Sequence, residues 1–192
     1  MIKTTYLEMN SPKKLRCPIH VPSQANKLHL ARTTCPAACA AMFSTVGRPF
    51  YWEIDRFGWT GNQWAAHLSS PDVAAFFFMI GEDEKIGYVE IKKHIDAKVE
   101  IVYFGLAPEY VGKNLGGHAL SLIVEQTFES GCSGVWLHTC SLDHVAALGN
   151  YYSRGFEFVK EEHTDWFLPE QTPAFDAAQY QPFQLDDRIT QN

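Results

Sequence analysis

Several features are missing from this sequence of 192 residues, and each absence excludes a class of protein. The longest apolar stretch, residues 73 to 80, has the length of a strand and falls short of the ~18 residues that a membrane-spanning helix needs. No strong basic cluster stands out, and the formal net charge of −6 argues against a nucleic-acid surface. The sequence therefore predicts neither a membrane protein nor a nucleic-acid-binding protein.

The cysteines also lack the pattern of a disulfide framework, because the five are odd in number and scattered along the chain. The N-terminus lacks a charged segment followed by a long apolar run, which is the pattern of a secretion signal. We therefore expect reduced thiols and a cytoplasmic location. His138, Cys140 and His144 form an H-x-C-x-x-x-H string. A fourth ligand at suitable spacing is missing and a buried strand explains the first two residues, so no metal is expected.

Length and composition fit one compact domain, since 46% of the residues are hydrophobic and 20% are charged. We expect a single domain over 1–192, with its core over about 27–168. Residues 169–192 are polar, punctuated by proline and without periodicity, so they predict an irregular C-terminal tail. The tail could cross the surface or a partner subunit, which leaves a homodimer open.

Hydrophobic periodicity and capping residues predict a mixed α/β fold with helices on both sides of one sheet. Two helices, near 36–47 and 60–68, precede three strands that form an antiparallel meander over 73–80, 85–93 and 99–106. A further helix after residue 115 leads to a strand over 134–140, and a strand–helix–strand unit of this kind makes its two strands parallel. Additional strands are expected over 2–9, 27–33 and 156–162.

One segment, Val99 to Leu120, combines a strand, a turn, a glycine-bearing loop and the start of a helix. Apolar alternation along the strand places four side chains on one face: Glu100, Val102, Phe104 and Leu106. In the loop, Gly112, Gly116 and Gly117 let backbone N–H groups face outward where the helix dipole favours an anion. The segment therefore predicts a phosphate-binding site that a pyrophosphate would fit.

A second segment, Asp143 to Phe158, reads as a short helix ended by glycine and followed directly by a strand. Together the two segments resemble the GNAT family of acetyl-CoA-dependent N-acetyltransferases, over roughly residues 73 to 162. In that family a glutamate-bearing strand leads into an R/Q-x-x-G-x-G/A loop that holds the coenzyme A pyrophosphate. A later helix, ending in a tyrosine and then Gly-Phe, flanks the thioester. The resemblance implies the GNAT fold, acetyl-CoA as cosubstrate and no metal.

The loop departs from the family pattern at two positions. Val111 stands where the family usually carries arginine or glutamine, and Asn114 where it carries the first glycine. Asparagine tolerates positive φ, so the loop can still form, with Lys113 and backbone amides holding the phosphates. The resemblance implies that backbone N–H groups at 104–106 hold the thioester carbonyl and the pantetheine arm. The full set of coenzyme-binding residues that it implies is Phe104, Gly105, Leu106, Val111, Gly112, Lys113, Asn114, Leu115, Gly116, Gly117, His144, Ala147 and Tyr151.

Acetyl transfer to an amine needs a proton acceptor, and the resemblance assigns this role to Glu100. Burial among apolar neighbours would raise the pKa of Glu100. The alternative is that Glu100 pairs with a lysine at the sheet surface. Tyr151 holds the family position of the acid that protonates the departing thiolate, with Tyr152 as a less favoured substitute. Tyr151 could equally pack into the core.

The segment 50–59 is unusually aromatic. Core packing is one explanation. The other is an acceptor pocket in which Trp52, Trp59 and the carboxylates of Glu53 or Asp55 receive a cationic amine. The sequence thus predicts acetyl transfer from acetyl-CoA to a primary amine of a small molecule, by direct attack in a ternary complex. The alternatives are a non-catalytic acyl-CoA-binding module and an acetyltransferase for protein N-termini or lysines.

Overall fold

The computed structural model describes residues 1–56 and 58–165, except for the side chain of Glu53. The tail predicted over 169–192 lies outside the described residues. Seven strands are present in the described part of the chain: β1 (Ile2–Met9), β2 (Leu28–Thr33), β3 (Val73–Ile80), β4 (Glu84–Lys93), β5 (Lys98–Leu106), β6 (Gly134–Cys140) and β7 (Glu157–Thr164). Four α-helices accompany them: α1 (Pro36–Gly47), α2 (Gly61–Leu68), α3 (Gly116–Glu129) and α4 (Ala147–Arg154).

Local chemistry explains where several helices begin and end. Helix α1 begins at Pro36, whose fixed φ and missing N–H suit the first helical position. Helix α2 begins with a capping box, in which the Thr60 side chain accepts from the Gln63 N–H and the Gln63 side chain accepts from the Thr60 N–H. Helix α4 ends at Gly155, which adopts φ 99°. These boundaries agree with the predicted helices.

All seven strands form one mixed sheet in the order β2-β3-β4-β5-β6-β1-β7. Strands β2 to β5 are antiparallel, and β5 and β6 are parallel. The predicted meander and the predicted parallel pair are therefore confirmed. Strand β1 lies between β6 and β7 and is antiparallel to both, so the N-terminal strand separates two strands that are close in sequence.

Each face of the sheet is covered by its own pair of helices. On the α3 face, buried side chains of α3 and α4 pack on the sheet, with Leu120 and Ile123 among those fully buried. On the α1 face, α1 and α2 pack on β3 and β4, with Phe43 and Trp64 in contact there. No helix in the described residues is both long and apolar enough to cross a membrane.

Strands β5 and β6 separate partway along their length, and this positions the site described below. Their pairing ends at Ile101 opposite Leu137, although β5 continues to Leu106 and β6 to Cys140. A wedge-shaped opening therefore lies between the two strands beyond that pair. We call this opening the splay.

A bulge in β5 changes which side chains share a face. Glu90 pairs with Tyr103 but Ile91 pairs with Ile101, so Val102 is an extra residue. Ile101 and the later Phe104 and Leu106 consequently all belong to the core on the α3 face. The prediction that Glu100 shares a face with Phe104 and Leu106 is therefore wrong, because alternation before the bulge puts Glu100 on the α1 face.

Candidate functional site

A cavity of about 1260 Å³ occupies the splay and extends to both faces of the sheet. One end is bounded by the loop before α3, by α4 and by the N-terminal segment 16–20. The other end is bounded by the segment 50–55 and by side chains of the α1 face, including Tyr103 and His138. We call it the central cavity.

The loop before α3 has the conformation that the sequence predicts. Gly112 adopts φ 80° and Asn114 adopts φ 59°, so asparagine does take the left-handed conformation in this loop. Helix α3 begins at Gly116, whose carbonyl accepts a hydrogen bond from Nδ2 of Asn150 at 3.3 Å. The N-terminus of α3 thus borders the central cavity, where it favours an anion.

All but two of the coenzyme-binding residues implied by the sequence line the central cavity: Phe104, Gly105, Leu106, Val111, Gly112, Asn114, Gly116, Gly117, His144, Ala147 and Tyr151. The two exceptions are Lys113 and Leu115. Nζ of Lys113 lies 4.8 Å from the ring centroid of Tyr110, and Leu115 is fully buried in the core. The prediction that the Lys113 side chain faces the phosphates is therefore not supported by its position.

Two other cations line the same end of the cavity, Arg16 and Arg154. A Cβ built on Gly117 would overlap Nη1 of Arg154, so this guanidinium lies against the start of α3. Nε of Arg154 is buried and has no hydrogen-bond partner among the described residues. Burial lowers the pKa of Arg154, and an anion in the cavity would offset that cost. Sequence reasoning missed Arg154, because only the packing of α4 against the start of α3 brings its guanidinium to the glycine loop.

Glu100 is a buried carboxylate that does not line the central cavity. Its Oε2 lies 2.9 Å from Nε2 of His94, and its Oε1 lies 3.6 Å from Nδ1 of His138. Burial raises the pKa of Glu100, but its interactions with His138 and His94 outweigh burial and lower the pKa below the ordinary value. The predicted rise in this pKa is therefore wrong, and the partners of Glu100 are histidines rather than a lysine.

His138 does line the central cavity, and its side chain is 41% exposed. The sequence suggested a buried strand residue, because His138 lies within an apolar strand. The splay explains the difference, since β6 has lost its neighbour β5 at this position. No group of three or more His, Cys, Asp or Glu side chains in the described part of the chain could hold a metal ion.

Tyr151 and Tyr152 are placed very differently. Tyr151 lines the central cavity and is otherwise buried, with its ring centroid 6.3 Å from Phe104 and 6.1 Å from Phe156. Burial raises the pKa of Tyr151, so its hydroxyl stays protonated at neutral pH. Tyr152 is exposed and does not line the cavity.

The aromatic segment divides into two parts with separate environments. Trp52 and Asp55 line the central cavity, and Oδ2 of Asp55 accepts a hydrogen bond from the Tyr103 hydroxyl at 2.9 Å. Trp59 does not line it, contrary to the prediction. Its ring lies 4.8 Å from Cζ of Arg56. Trp59 therefore contacts a cation of the protein itself. The predicted role of the Glu53 side chain falls outside the described residues.

Comparison with known proteins places this architecture in a family. The model of the acetyltransferase (GNAT) family matches residues 37–156, which is more than half of the chain. A curated relative, the mycothiol acetyltransferase of Corynebacterium efficiens, is 33% identical over 120 residues. That match covers 59% of this chain and 38% of the relative, so the chain spans well under half of the relative's length.

Solved structures share the fold at low sequence identity. A GCN5-related N-acetyltransferase from Sphaerobacter thermophilus has a TM-score of 0.61 and 13% identity, covering 83% of this chain and 49% of that one. A ribosomal-protein alanine N-acetyltransferase from Escherichia coli has a TM-score of 0.53 and 16% identity, covering 69% and 79% of the two chains. The family match, supported by the splayed sheet and the glycine loop, shows that this chain belongs to the acetyltransferase (GNAT) family.

Proposed function

We propose that this protein transfers an acetyl group from acetyl-CoA to a primary amine of a small molecule, by direct attack in a ternary complex. The observation that carries the proposal is the central cavity, which passes through the splay and joins the glycine loop to Asp55 and Trp52. Its volume of about 1260 Å³ exceeds the ~300–1,000 Å³ of most single-ligand pockets. The cavity is therefore large enough for two substrates at once.

Coenzyme A would bind at the α3 end of the cavity. The backbone at Gly112 to Gly117 and the dipole of α3 favour the pyrophosphate, and Arg154 supplies the charge that Val111 does not. Beyond Ile101, β5 no longer pairs with β6. The N–H groups on that side of residues 104–106 are therefore available for the pantetheine arm and for the carbonyl oxygen of the thioester.

Acetyl-CoA supplies a thioester whose sulfur becomes negatively charged as it departs. Tyr151 is the group best placed to stabilise that charge, because its protonated hydroxyl belongs to a cavity-lining side chain held between Phe104 and Phe156. Its raised pKa makes donation of a hydrogen bond to the sulfur easier than complete proton transfer. We therefore assign Tyr151 as the hydrogen-bond donor at the leaving group.

The acceptor amine would enter from the α1 face. Asp55 offers a carboxylate to an ammonium group, and Trp52 and Tyr103, whose ring centroids lie 5.0 Å apart, pack against each other as one aromatic wall of the cavity. Glu100 does not line the cavity, but its Oε1 lies 3.6 Å from Nδ1 of the cavity-lining His138, through which it can promote the proton acceptance that an alkylammonium requires. The name of the Corynebacterium relative refers to mycothiol and not to a protein, which favours a small acceptor.

A panel of acceptors tests the proposal. Acetyl-CoA is incubated with the protein and with alkylamines, aminosugars or peptides that carry a free N-terminus or lysine, and thiol release and the acetylated product are measured. We expect acetylation of at least one small amine and little of the peptides. Faster acetylation of peptides would move the acceptor to proteins. Coenzyme A binding without any acetyl transfer would instead favour a non-catalytic binding module.

A further inference from the structure

We propose that His138, held in place by Glu100, is the side chain that removes the proton from the acceptor amine. This inference rests on the proposed function, and it assigns the proton to a residue that touches the cavity. Glu100 does not line the central cavity, whereas His138 does. A carboxylate outside the cavity lining does not contact the amine directly, so Glu100 is a positioning residue.

The position of His138 in the sheet supports this role. Leu137 is the last residue of β6 that pairs with β5, and His138 is therefore the first residue inside the splay. Leu137 packs into the core of the α3 face, so alternation turns the imidazole of His138 to the α1 face. This is also the face on which Asp55 and Trp52 line the cavity. His138 thus lies where the amine would approach the thioester.

The contacts of Glu100 determine which nitrogen of His138 is available. Nδ1 of His138 lies 3.6 Å from Oε1 of Glu100, which is an ion-pair distance, so the carboxylate favours a proton on Nδ1 and leaves the lone pair on Nε2. The other carboxylate oxygen is held at 2.9 Å by Nε2 of His94. Two histidines therefore fix Glu100 in an ionised state, and a carboxylate favours the imidazolium that forms when His138 accepts a proton.

Other groups around His138 complete its electrostatic surroundings. On β1, the ring centroid of Tyr6 lies 5.6 Å from that of His138. The Tyr6 hydroxyl donates to Glu162, and Nζ of Lys160 lies 4.3 Å from the centroid of the Tyr6 ring. From β6, the ring of Trp136 lies 6.5 Å away. The cavity also carries Asp55, Cys140, Asp143 and His144 in its lining. Within the described part of the chain, none of these groups pairs with His138 at ion-pair distance, whereas Glu100 lies at 3.6 Å.

Two protons leave the acceptor nitrogen during the transfer. The alkylammonium gives one proton to Nε2 of neutral His138 and becomes an amine with a free lone pair. That lone pair forms the new C–N bond to the acetyl carbon, and the C–S bond breaks with its electron pair on sulfur. A second N–H proton of the nitrogen is released and neutralises the thiolate. The imidazolium returns its proton to solvent, so one ammonium and one thioester yield one amide, one thiol and one proton.

The test compares three variants with an alkylammonium acceptor. His138→Gln should lower kcat/KM by roughly 10²–10⁴-fold and remove the acidic limb of the pH profile, because the proton acceptor is gone. His163→Gln is the matched control, since His163 also pairs with a carboxylate, that of Glu161 at 2.9 Å, but does not line the central cavity. Its kcat/KM should fall by less than about tenfold, and its pH profile should keep the acidic limb. All variants should bind coenzyme A as the wild type does.

Glu100→Gln separates the two assignments of the proton acceptor. If His138 accepts the proton, this variant keeps an acidic limb that moves to lower pH, because the carboxylate no longer favours the imidazolium. An acceptor of low amine pKa should recover much of the activity that His138→Gln loses, since it already carries a neutral nitrogen.

Three results would overturn the inference. One is a wild-type rate and pH profile in His138→Gln. Another is loss of the acidic limb in Glu100→Gln while His138→Gln retains it, which would make the carboxylate the acceptor. The third is an equal loss in His138→Gln for acceptors of high and low amine pKa. Failure of the proposed function would look different, because wild-type protein would then transfer no acetyl group to any amine.

Discussion

Replacing Arg56 should destabilise the protein strongly, because this side chain neutralises a carboxylate inside the core. Nη1 and Nη2 of Arg56 lie 2.8 and 2.5 Å from the two carboxylate oxygens of Glu90. The two residues are only 8% and 1% exposed. Glu90 also receives the Tyr88 hydroxyl at 2.8 Å and lies 2.9 Å from Nε2 of His67. Burial raises the pKa of Glu90, but its bonds to His67 and Arg56 hold it well below its usual range.

The expected magnitude follows from what Arg56→Met leaves behind. Breaking a buried ion pair by removing one partner costs about 3–5 kcal/mol, a large part of the ~5–15 kcal/mol that stabilises a typical domain. The variant also loses the contacts of the guanidinium with four aromatic rings, whose centroids lie 4.7–4.9 Å from Cζ. At about 2–4 °C per kcal/mol, we expect the melting temperature to fall by about 6–20 °C.

Urea unfolding at neutral pH, with calorimetry for the melting temperature, measures this loss. Lys3→Met is the matched control, because Lys3 forms an exposed pair with Glu161 at 3.3 Å and should cost no more than about 1 kcal/mol. The double variant Arg56→Met, Glu90→Gln removes both charges and should be more stable than Arg56→Met alone. A single-variant loss below about 1 kcal/mol, or no recovery in the double variant, would refute the reasoning.

Three further predictions concern the coenzyme end of the cavity, the leaving group and pH. Arg154→Ala should raise the Kd of coenzyme A about 10- to 100-fold in calorimetry, from a lost charged hydrogen bond, whereas Lys113→Ala should change it little. Equal effects would contradict the assignment. Tyr151→Phe should lower kcat with a nearly unchanged KM for acetyl-CoA, and Tyr152→Phe should not; loss in Tyr152→Phe alone would reverse the roles. The folded-state pKa of Glu90 is lowered. The stabilisation of the folded state by ionised Glu90 is therefore complete above the unfolded-state pKa of ~4.3 and is lost as pH falls below it. As pH is lowered, the urea midpoint should therefore fall less steeply for Glu90→Gln than for the wild type.

Features that depend on neighbouring residues were predictable from the sequence. The capping box of Thr60 and Gln63, the positive φ of Asn114 and the glycine end of α4 all follow from chemistry within a few residues. The parallel pairing of β5 and β6 follows from the right-handed strand–helix–strand rule. Nearly all the cavity-lining residues of the glycine loop follow from the same local pattern.

Features that depend on distant pairing were not predictable. The extra residue at Val102 exists only relative to its partner strand β4, and it moves Glu100 to the other face. The exposure of His138 depends on where β5 and β6 separate. The position of β1 between β6 and β7 likewise depends on contacts across the whole chain.

The aromatic segment shows a third kind of error. Its rings do surround a cation, as the chemistry of the residues suggested, but for Trp59 that cation is Arg56 of the same segment. A sequence pattern for binding a cation does not say whether the cation belongs to a ligand or to the protein. Only the arrangement of β4, which brings Glu90 to Arg56, decides between them.

Calorimetric titration of coenzyme A into the wild type and into Gly116→Asp tests the central claim most directly. A Cβ at Gly116 would have open space, with Nδ2 of Asn150 3.8 Å away, and aspartate suits the first turn of a helix. The variant should therefore fold normally while placing a carboxylate where the pyrophosphate is proposed to bind. We predict one binding site in the wild type and at least about tenfold weaker binding in the folded variant. No binding by the wild type, or equal affinity in both proteins, would contradict the account.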